Sequence, residues 1–311
     1  MKRKLISIVT GCYNEQDNVE ELHRQIVAVM EQLPQYDWDQ IYIDNASHDG
    51  TQEILRRLAA ADPRVKVILN NRNFGHIRSP YYALLQARGD AVIAMASDLQ
   101  DPPSLIPEFV KKWEAGYKVV LGQKITSKET PLVFLLRSAY YRLVKRLADI
   151  ELIEHVTGFG LYDQSVVEQF RKVDDPYPYA RGLITDLGYE VARIPYHQPE
   201  RKRGLTKNNF YTLYDLAMLG ITNHSKVPLR IATLLGFSLS LVSLLVAVAY
   251  FIYKLLFWYN FPIGEAPVII GLFLFSSVQL FFTGVLGEYI AAIHTQVLHR
   301  PLVIEKERIN F

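Results

Sequence analysis

The sequence predicts an α/β domain built on a mostly parallel sheet, followed by two membrane-spanning helices. Three observations carry this. Short β-branched apolar runs alternate with helix-patterned segments over the first hundred residues, the pattern of a parallel sheet with helices on both faces. Polar clusters follow the first, second and fourth of these runs, and in such sheets ligands sit at the carboxyl ends of the strands. Beyond residue 228 come two long apolar stretches, each with about the twenty residues that a bilayer crossing requires.

Leu5–Thr10 ends at Gly11 and reads as a buried strand. Asn18–Leu33 sets Val19, Leu22, Ile26, Val29 and Leu33 on one helical face. Ile41–Ile43 is a second strand, and Asp44 through Thr51 separates it from a helix over Gln52–Ala60. Val65–Leu69 is a third strand and Ser79–Ala87 a helix. Ala91–Ala96 is a fourth strand that stops at Ser97-Asp98. Ile231–Phe257 and Pro267–Ile293 are too long and too evenly apolar to be core helices of one small domain. The link Trp258–Ala266 carries no Lys or Arg, whereas Lys226, Arg230, His299, Arg300, Lys306 and Arg308 flank the other ends. The positive-inside rule therefore puts the sheet domain and the C-terminal segment in the cytoplasm. Asn208–Ile221 alternates aromatic and polar residues, and reads either as an amphipathic helix on the membrane surface or as a helix packed on the sheet. The expected division is a catalytic domain over 1–206, juxtamembrane helices over 207–229, two spans over 230–296 and a cytoplasmic tail over 297–311.

A net charge of +2 over 311 residues gives no general attraction to nucleic acid, so no nucleic-acid partner is expected. The single cysteine, Cys12, excludes an internal disulfide and a multi-cysteine metal site, and fits a cytoplasmic domain. Met-Lys-Arg-Lys runs into a strand whose apolar stretch is too short for a signal peptide, so export of the first domain is not expected.

Three clusters carry chemistry. Thr10-Gly11-Cys12-Tyr13-Asn14-Glu15 closes the first strand, and Tyr13 can stack on a base. Asp44 closes the second strand, where a carboxylate accepts from the N–H of uracil or guanine, or from a ribose hydroxyl. Asp49-Gly50-Thr51 reads as a turn and helix cap. The sharpest is Asp98-Leu99-Gln100-Asp101-Pro102-Pro103. If strand alternation continues, Asp98 and Gln100 point to one side. Hard oxygen ligands there suit Mg²⁺ or Mn²⁺ bridging the phosphates of a nucleotide-sugar. Asp101, ahead of Pro102, reads as a turn residue at a helix start.

These segments, with Asn73-Phe74-Gly75, Arg181-Gly182-Leu183, Gly188-Tyr189, Arg201…Gly204-Leu205-Thr206-Lys207, the two spans and Arg300-Pro301-Leu302, resemble glycosyltransferase family 2. The likeness is to its polyprenyl-phosphate branch and covers nearly the whole chain. It implies a GT-A fold and inverting transfer from a nucleotide-sugar, UDP-linked ahead of GDP-linked, to a polyprenyl phosphate at a bacterial plasma membrane. Thr10, Tyr13, Glu15, Asp44 and Ser97 would hold the nucleotide, and Asp98 and Gln100 the metal. His76, Arg78, Arg181, Arg201, Thr206 and Lys207 would meet phosphate or acceptor. Asp98, Asp186 and Arg201 are the catalytic candidates. The resemblance is compatible with a homo-oligomer.

The chain also departs from the family pattern. Ala96 stands where an acid is usual, and Thr157-Gly158-Phe159-Gly160-Leu161 has Gly158 for an Asp and Gly160 for an Arg. Asp186 stands where Trp is frequent. Three readings follow: an anionic phosphate acceptor needs no protein base; Asp186 or His155 supplies the lost function; or the site binds without turnover. Transfer to another membrane acceptor and a non-catalytic nucleotide-sugar binder are the alternative functions.

Overall fold

The computed structural model describes residues 3–125, 156–173, 175–178, 180–199, 227–257 and 265–311. Strands β1 (Lys4–Cys12), β2 (Tyr36–Asp44), β3 (Val65–Asn70), β4 (Ala91–Ala96), β5 (Val119–Lys124), β6 (Val156–Asp163), β7 (Val191–Tyr196) and β8 (Glu305–Ile309) form one eight-stranded sheet. Their order is β7-β5-β6-β4-β1-β2-β3-β8. β1 pairs in parallel with β2 and β4, β2 with β3, and β5 with β7, while β6 runs antiparallel between β4 and β5. The four strands expected from the apolar runs are all present. β1 and β2 are longer than those runs because parallel strands covered on both faces keep pairing past the apolar centre.

Helices α1 (Val19–Met30), α2 (Thr51–Ala61), α3 (Gly75–Gln86), α4 (Ile106–Glu114), α5 (Gln164–Lys172) and α6 (Ala180–Asp186) cover the two faces. Strand alternation divides the core. Ile6 and Ile8 pack with Leu22 of α1 and Phe109 of α4, while Val9 packs with Tyr81 and Leu84 of α3 and Phe170 of α5. α1 buries Val19, Leu22, Ile26 and Met30, as its periodicity requires, and stops short of Leu33. α3 starts at Gly75, ahead of the expected Ser79, because side chains hold its first turn. Phe74 N–H donates to Asn45 Oδ1 (2.8 Å) and Gly75 N–H to Asn73 Oδ1 (2.8 Å).

Asp163 joins β6 to α5. It accepts from Trp113 Nε1 (2.8 Å), Lys118 Nζ (3.1 Å) and Ser165 N–H (3.0 Å). Burial alone would raise its pKa, but the bonds from Ser165, Trp113 and Lys118 prevail and hold it at about 2. A depressed carboxylate contributes stability above its unfolded pKa of about 3.9 and loses it as pH falls through the folded value. Thermal unfolding followed by circular dichroism should therefore show Tm falling between about pH 4 and 2. Asp163→Asn should be less stable at pH 7 and flatter in that window; an unchanged profile would remove Asp163 from the acid response.

α7 (Val227–Leu256) and α8 (Glu265–Val297) contain stretches, Val227–Val246 and Leu274–Val297, with mean hydropathies of 2.0 and 1.3, and neither is buried in the protein. They are long and apolar enough to cross a membrane. The segment after α8 is not a free tail. β8 pairs antiparallel with β3, Glu307 meets Arg56 at 2.6 Å, and Asn310 Nδ2 donates to the carbonyls of Ala59 (2.7 Å) and Val65 (2.9 Å). The segment leaving α8 therefore returns to the β3 edge of the sheet. The amphipathic segment Asn208–Ile221 and the link from Trp258 lie outside the described residues.

Candidate active site

Strand directions bring the carboxyl ends of β1–β5 and β7, and the first residues of β6, to one edge of the sheet. Three non-glycine residues there take left-handed backbone: Asn14 (φ 55°), Ala46 (φ 60°) and Leu99 (φ 60°), just past β1, β2 and β4. Such conformations cost about 1–3 kcal/mol each and persist where surrounding structure holds them.

The holding contacts at the β1 and β2 ends run between the two turns. Asn14 N–H donates to Ser47 Oγ (2.8 Å), His48 N–H to Asn14 Oδ1 (2.9 Å), Glu15 N–H to Thr51 Oγ1 (2.9 Å) and Gly50 N–H to Gln16 Oε1 (2.8 Å). Tyr13 meets His48 edge-on, with ring centroids 6.4 Å apart. Glu15 Oε2 accepts from Asn18 Nδ2 (2.6 Å). Asp49 accepts from Thr51 N–H (3.0 Å), a turn bond just ahead of α2, whose N-cap is Gly50 with no side-chain cap. Asp44 is fully buried; its Oδ2 accepts from Ser47 N–H (2.9 Å) and Gln52 Nε2 (2.8 Å). Its Oδ1 is buried without a donor among the described residues, as is the Thr10 hydroxyl. Ser97 is buried and its side chain hydrogen-bonds to Cys12.

Asp98 and Gln100 line one cavity of about 410 Å³, with His76, Asp101, Lys124, Thr157, Gly158 and Gln198. Val9, Ile77, Tyr81, Leu84 and Phe170 are among its apolar lining. The expected alternation does not bring Asp98 and Gln100 together, because β4 ends at Ala96. The chain instead bends through Leu99, and Gln100 N–H donates to Asp98 Oδ1 (3.2 Å). Asp101 does more than begin a helix. Nearly fully buried, it accepts from Ala96 N–H (2.9 Å) and Tyr196 Oη–H (3.2 Å), which closes the neck of this loop. Burial, with the charge of Asp98 adding to it, pushes its carboxyl up.

The donor set fits a hard divalent cation. Among the described residues no three His, Cys, Asp or Glu side chains converge. Asp98 and Gln100 match an ion completed by substrate phosphates and water, as Mg²⁺ takes them, and not an all-protein cage.

Other expected site residues lie apart. Arg78 is not among the cavity-lining residues and donates to the Pro301 carbonyl. Asp186 is exposed at the end of α6, outside that lining. Arg181 lies near the start of α6. Arg201, Thr206, Lys207 and His155 fall outside the described residues. The sequence reading missed Asn45, which joins β2 to the start of α3, and Lys124; the signal for Lys124 was a charged residue closing a strand at the ligand edge.

A mostly parallel sheet flanked by helices, with Glu15, Asp44 and Asp98 at or just past the carboxyl ends of its first, second and fourth strands, has the layout of the GT-A fold. Residues 7–171 match glycosyl transferase family 2. The chain belongs to that family and is a glycosyltransferase. It is 32% identical over 303 residues to the bactoprenol glucosyl transferase of Shigella phage SfV, covering 97% of this chain and 98% of the relative. It is 31% identical to the putative glycosyltransferase CsbB of Bacillus subtilis, covering 99% and 93%. Among solved structures, glucosyl-3-phosphoglycerate synthase of Mycobacterium tuberculosis, in complex with Mn²⁺, UDP and phosphoglyceric acid, is similar at a TM-score of 0.49 and 19% identity, over 70% of this chain and 76% of that one.

Proposed function

We propose that the chain transfers a sugar from a nucleotide-sugar, UDP-linked ahead of GDP-linked, to polyprenyl phosphate at the cytoplasmic face of a membrane crossed by α7 and α8. The observation that carries this is that Asp98 and Gln100 line one cavity, in a chain similar over 97% of its length to a bactoprenol glucosyl transferase.

Tyr13 stacks on the base and Asp44 accepts from it or from the ribose. Asp98 and Gln100 would hold Mg²⁺ or Mn²⁺, which when bound would supply positive charge against the departing diphosphate. The acceptor phosphate oxygen attacks the anomeric carbon as the bond to the diphosphate breaks, inverting that centre. A phosphate monoester is already anionic, so no proton needs to be removed. Ala96 and Gly158 carry no acid, and exposed Asp186 lies off the cavity, which favours this reading over a protein base. His76 at the cavity, with Arg181, Arg201, Thr206 and Lys207, positions the two anionic partners and offsets their repulsion. Anchoring in the plane of the lipid raises the acceptor's effective concentration.

The test is purified protein with undecaprenyl phosphate, Mg²⁺ or Mn²⁺, and a panel of UDP- and GDP-sugars, read by mass spectrometry. A lipid-linked sugar is expected. No product from any donor, with nucleotide-sugar still bound, would leave a non-catalytic binder. Asp44→Ala is expected to weaken UDP binding on the order of tenfold to a hundredfold in calorimetry, the loss of a hydrogen bond to a charged group. Equal affinity would move the base elsewhere.

A further inference from the structure

Three arginines meet where α3 touches the segment after α8. Arg78 donates to the Pro301 carbonyl, and Arg72 and Arg300 are close enough for their charges to act on it. The guanidinium of Arg72 lies 4.0 Å from the Phe74 ring centroid and that of Arg78 5.5 Å. Arg78 Nε is buried with no hydrogen-bond partner among the described residues. Arg72 and Arg300 are exposed. Like charges gathered this way repel, and burial with that repulsion lowers the Arg78 guanidinium from its usual range. The cluster wants an anion.

Its position says which one. The apolar stretch of α8 ends at Val297. Pro301 is four residues on, so no more than about 14 Å of chain separates it from that end. Arg300 is nearer still. Arg72 and Arg78, which belong to the sheet domain, are thereby tied close to the end of α8, with Arg78 two residues from His76 at the cavity.

We propose that Arg72, Arg78 and Arg300 form a docking surface for the anionic phosphodiester headgroups of the surrounding bilayer, holding the α3 side of the cavity against the membrane. The proposal rests on the reading that α7 and α8 cross a membrane; it does not depend on any sugar transfer. Arg72 and Arg300 supply the accessible charge. Arg78 locks the sheet domain to the segment leaving α8, so the three act as one rigid patch. Each basic side chain at an anionic surface contributes about 1 kcal/mol, or roughly fivefold, at physiological salt.

The test uses the full chain in lipid nanodiscs without donor or acceptor. Exposed Asn71 is changed to Cys and labelled with a fluorophore; the native Cys12 is buried. Quenching by headgroup-nitroxide lipid is followed as phosphatidylglycerol replaces phosphatidylcholine. Quenching should rise with phosphatidylglycerol and fall with salt. The Arg72→Gln/Arg300→Gln pair should need on the order of tenfold more anionic lipid for the same quenching. Both are exposed, so the pair leaves the fold intact, which an unchanged Tm verifies; Arg72→Lys should restore most of the response. Quenching that ignores phosphatidylglycerol, or that the double variant shares unchanged, would overturn the docking surface alone. Failure of the chain to enter discs would overturn the membrane reading and this inference with it.

Discussion

Asp98→Ala is expected to lower the rate of sugar transfer on the order of a hundredfold to a thousandfold, the loss usual when one group stabilising a departing charge is removed. Two effects combine. The variant loses a carboxylate oxygen at the cavity, and the Gln100 backbone N–H loses its acceptor, which leaves the second candidate ligand held by the bond from Gln100 Nε2 to the Pro199 carbonyl (3.4 Å). Asp98→Asn separates them, since its side-chain oxygen can still accept from Gln100 N–H while the charge is gone. Initial rates against Mg²⁺ and Mn²⁺ concentration are the measurement. Higher metal should rescue the Asn variant partially, and the Ala variant much less. Wild-type rates in Asp98→Ala would end the assignment of this loop to the chemistry.

Gly160→Val is expected to prevent folding. A Cβ at residue 160 would sit 2.3 Å from the Val120 carbonyl oxygen and 3.1 Å from Leu121 Cα. These are backbone atoms of the neighbouring strand and cannot rotate away. β6 lies between β4 and β5, so the clash must force open the interior of the sheet. The cost exceeds the roughly 1–3 kcal/mol of ordinary overpacking. Gly158→Ala is the control. Its Cβ meets nothing within 4 Å, but φ is +96°, so a penalty of about 1–2 kcal/mol is expected from backbone alone. Size exclusion and thermal unfolding in detergent distinguish them. A folded Gly160→Val of unchanged Tm would mean that β5 and β6 do not pack as closely as this.

Gly160 also shows what the sequence could and could not convey. A glycine in place of the family's arginine reads as a missing functional group; in the fold it is where one strand backbone crowds another. The first four strands were legible because buried parallel strands are continuous apolar runs. β8 was not, since Glu-Lys-Glu-Arg-Ile has no apolar run and forms a strand only because β3 offers an open edge. Asp98 and Gln100 were singled out for a sound reason, the strand end, and a mistaken one, alternation, which fails where Leu99 turns left-handed. Asp101 looked like a turn residue because Tyr196, which helps bury it, is 95 residues away. Asn45 carries no charge and no motif, and its role exists only when β2 and the start of α3 come together.

The pairing of β8 with β3 has a consequence for biosynthesis. Arg56 and Glu307 are 251 residues apart, and both apolar helices are made between them. During translation the β3 edge stays unpaired while α7 and α8 emerge, and an open edge is a template for unwanted pairing. The sheet can close only after the second apolar helix has been made, so the sheet domain is finished last, by a strand that follows both apolar helices out of the ribosome.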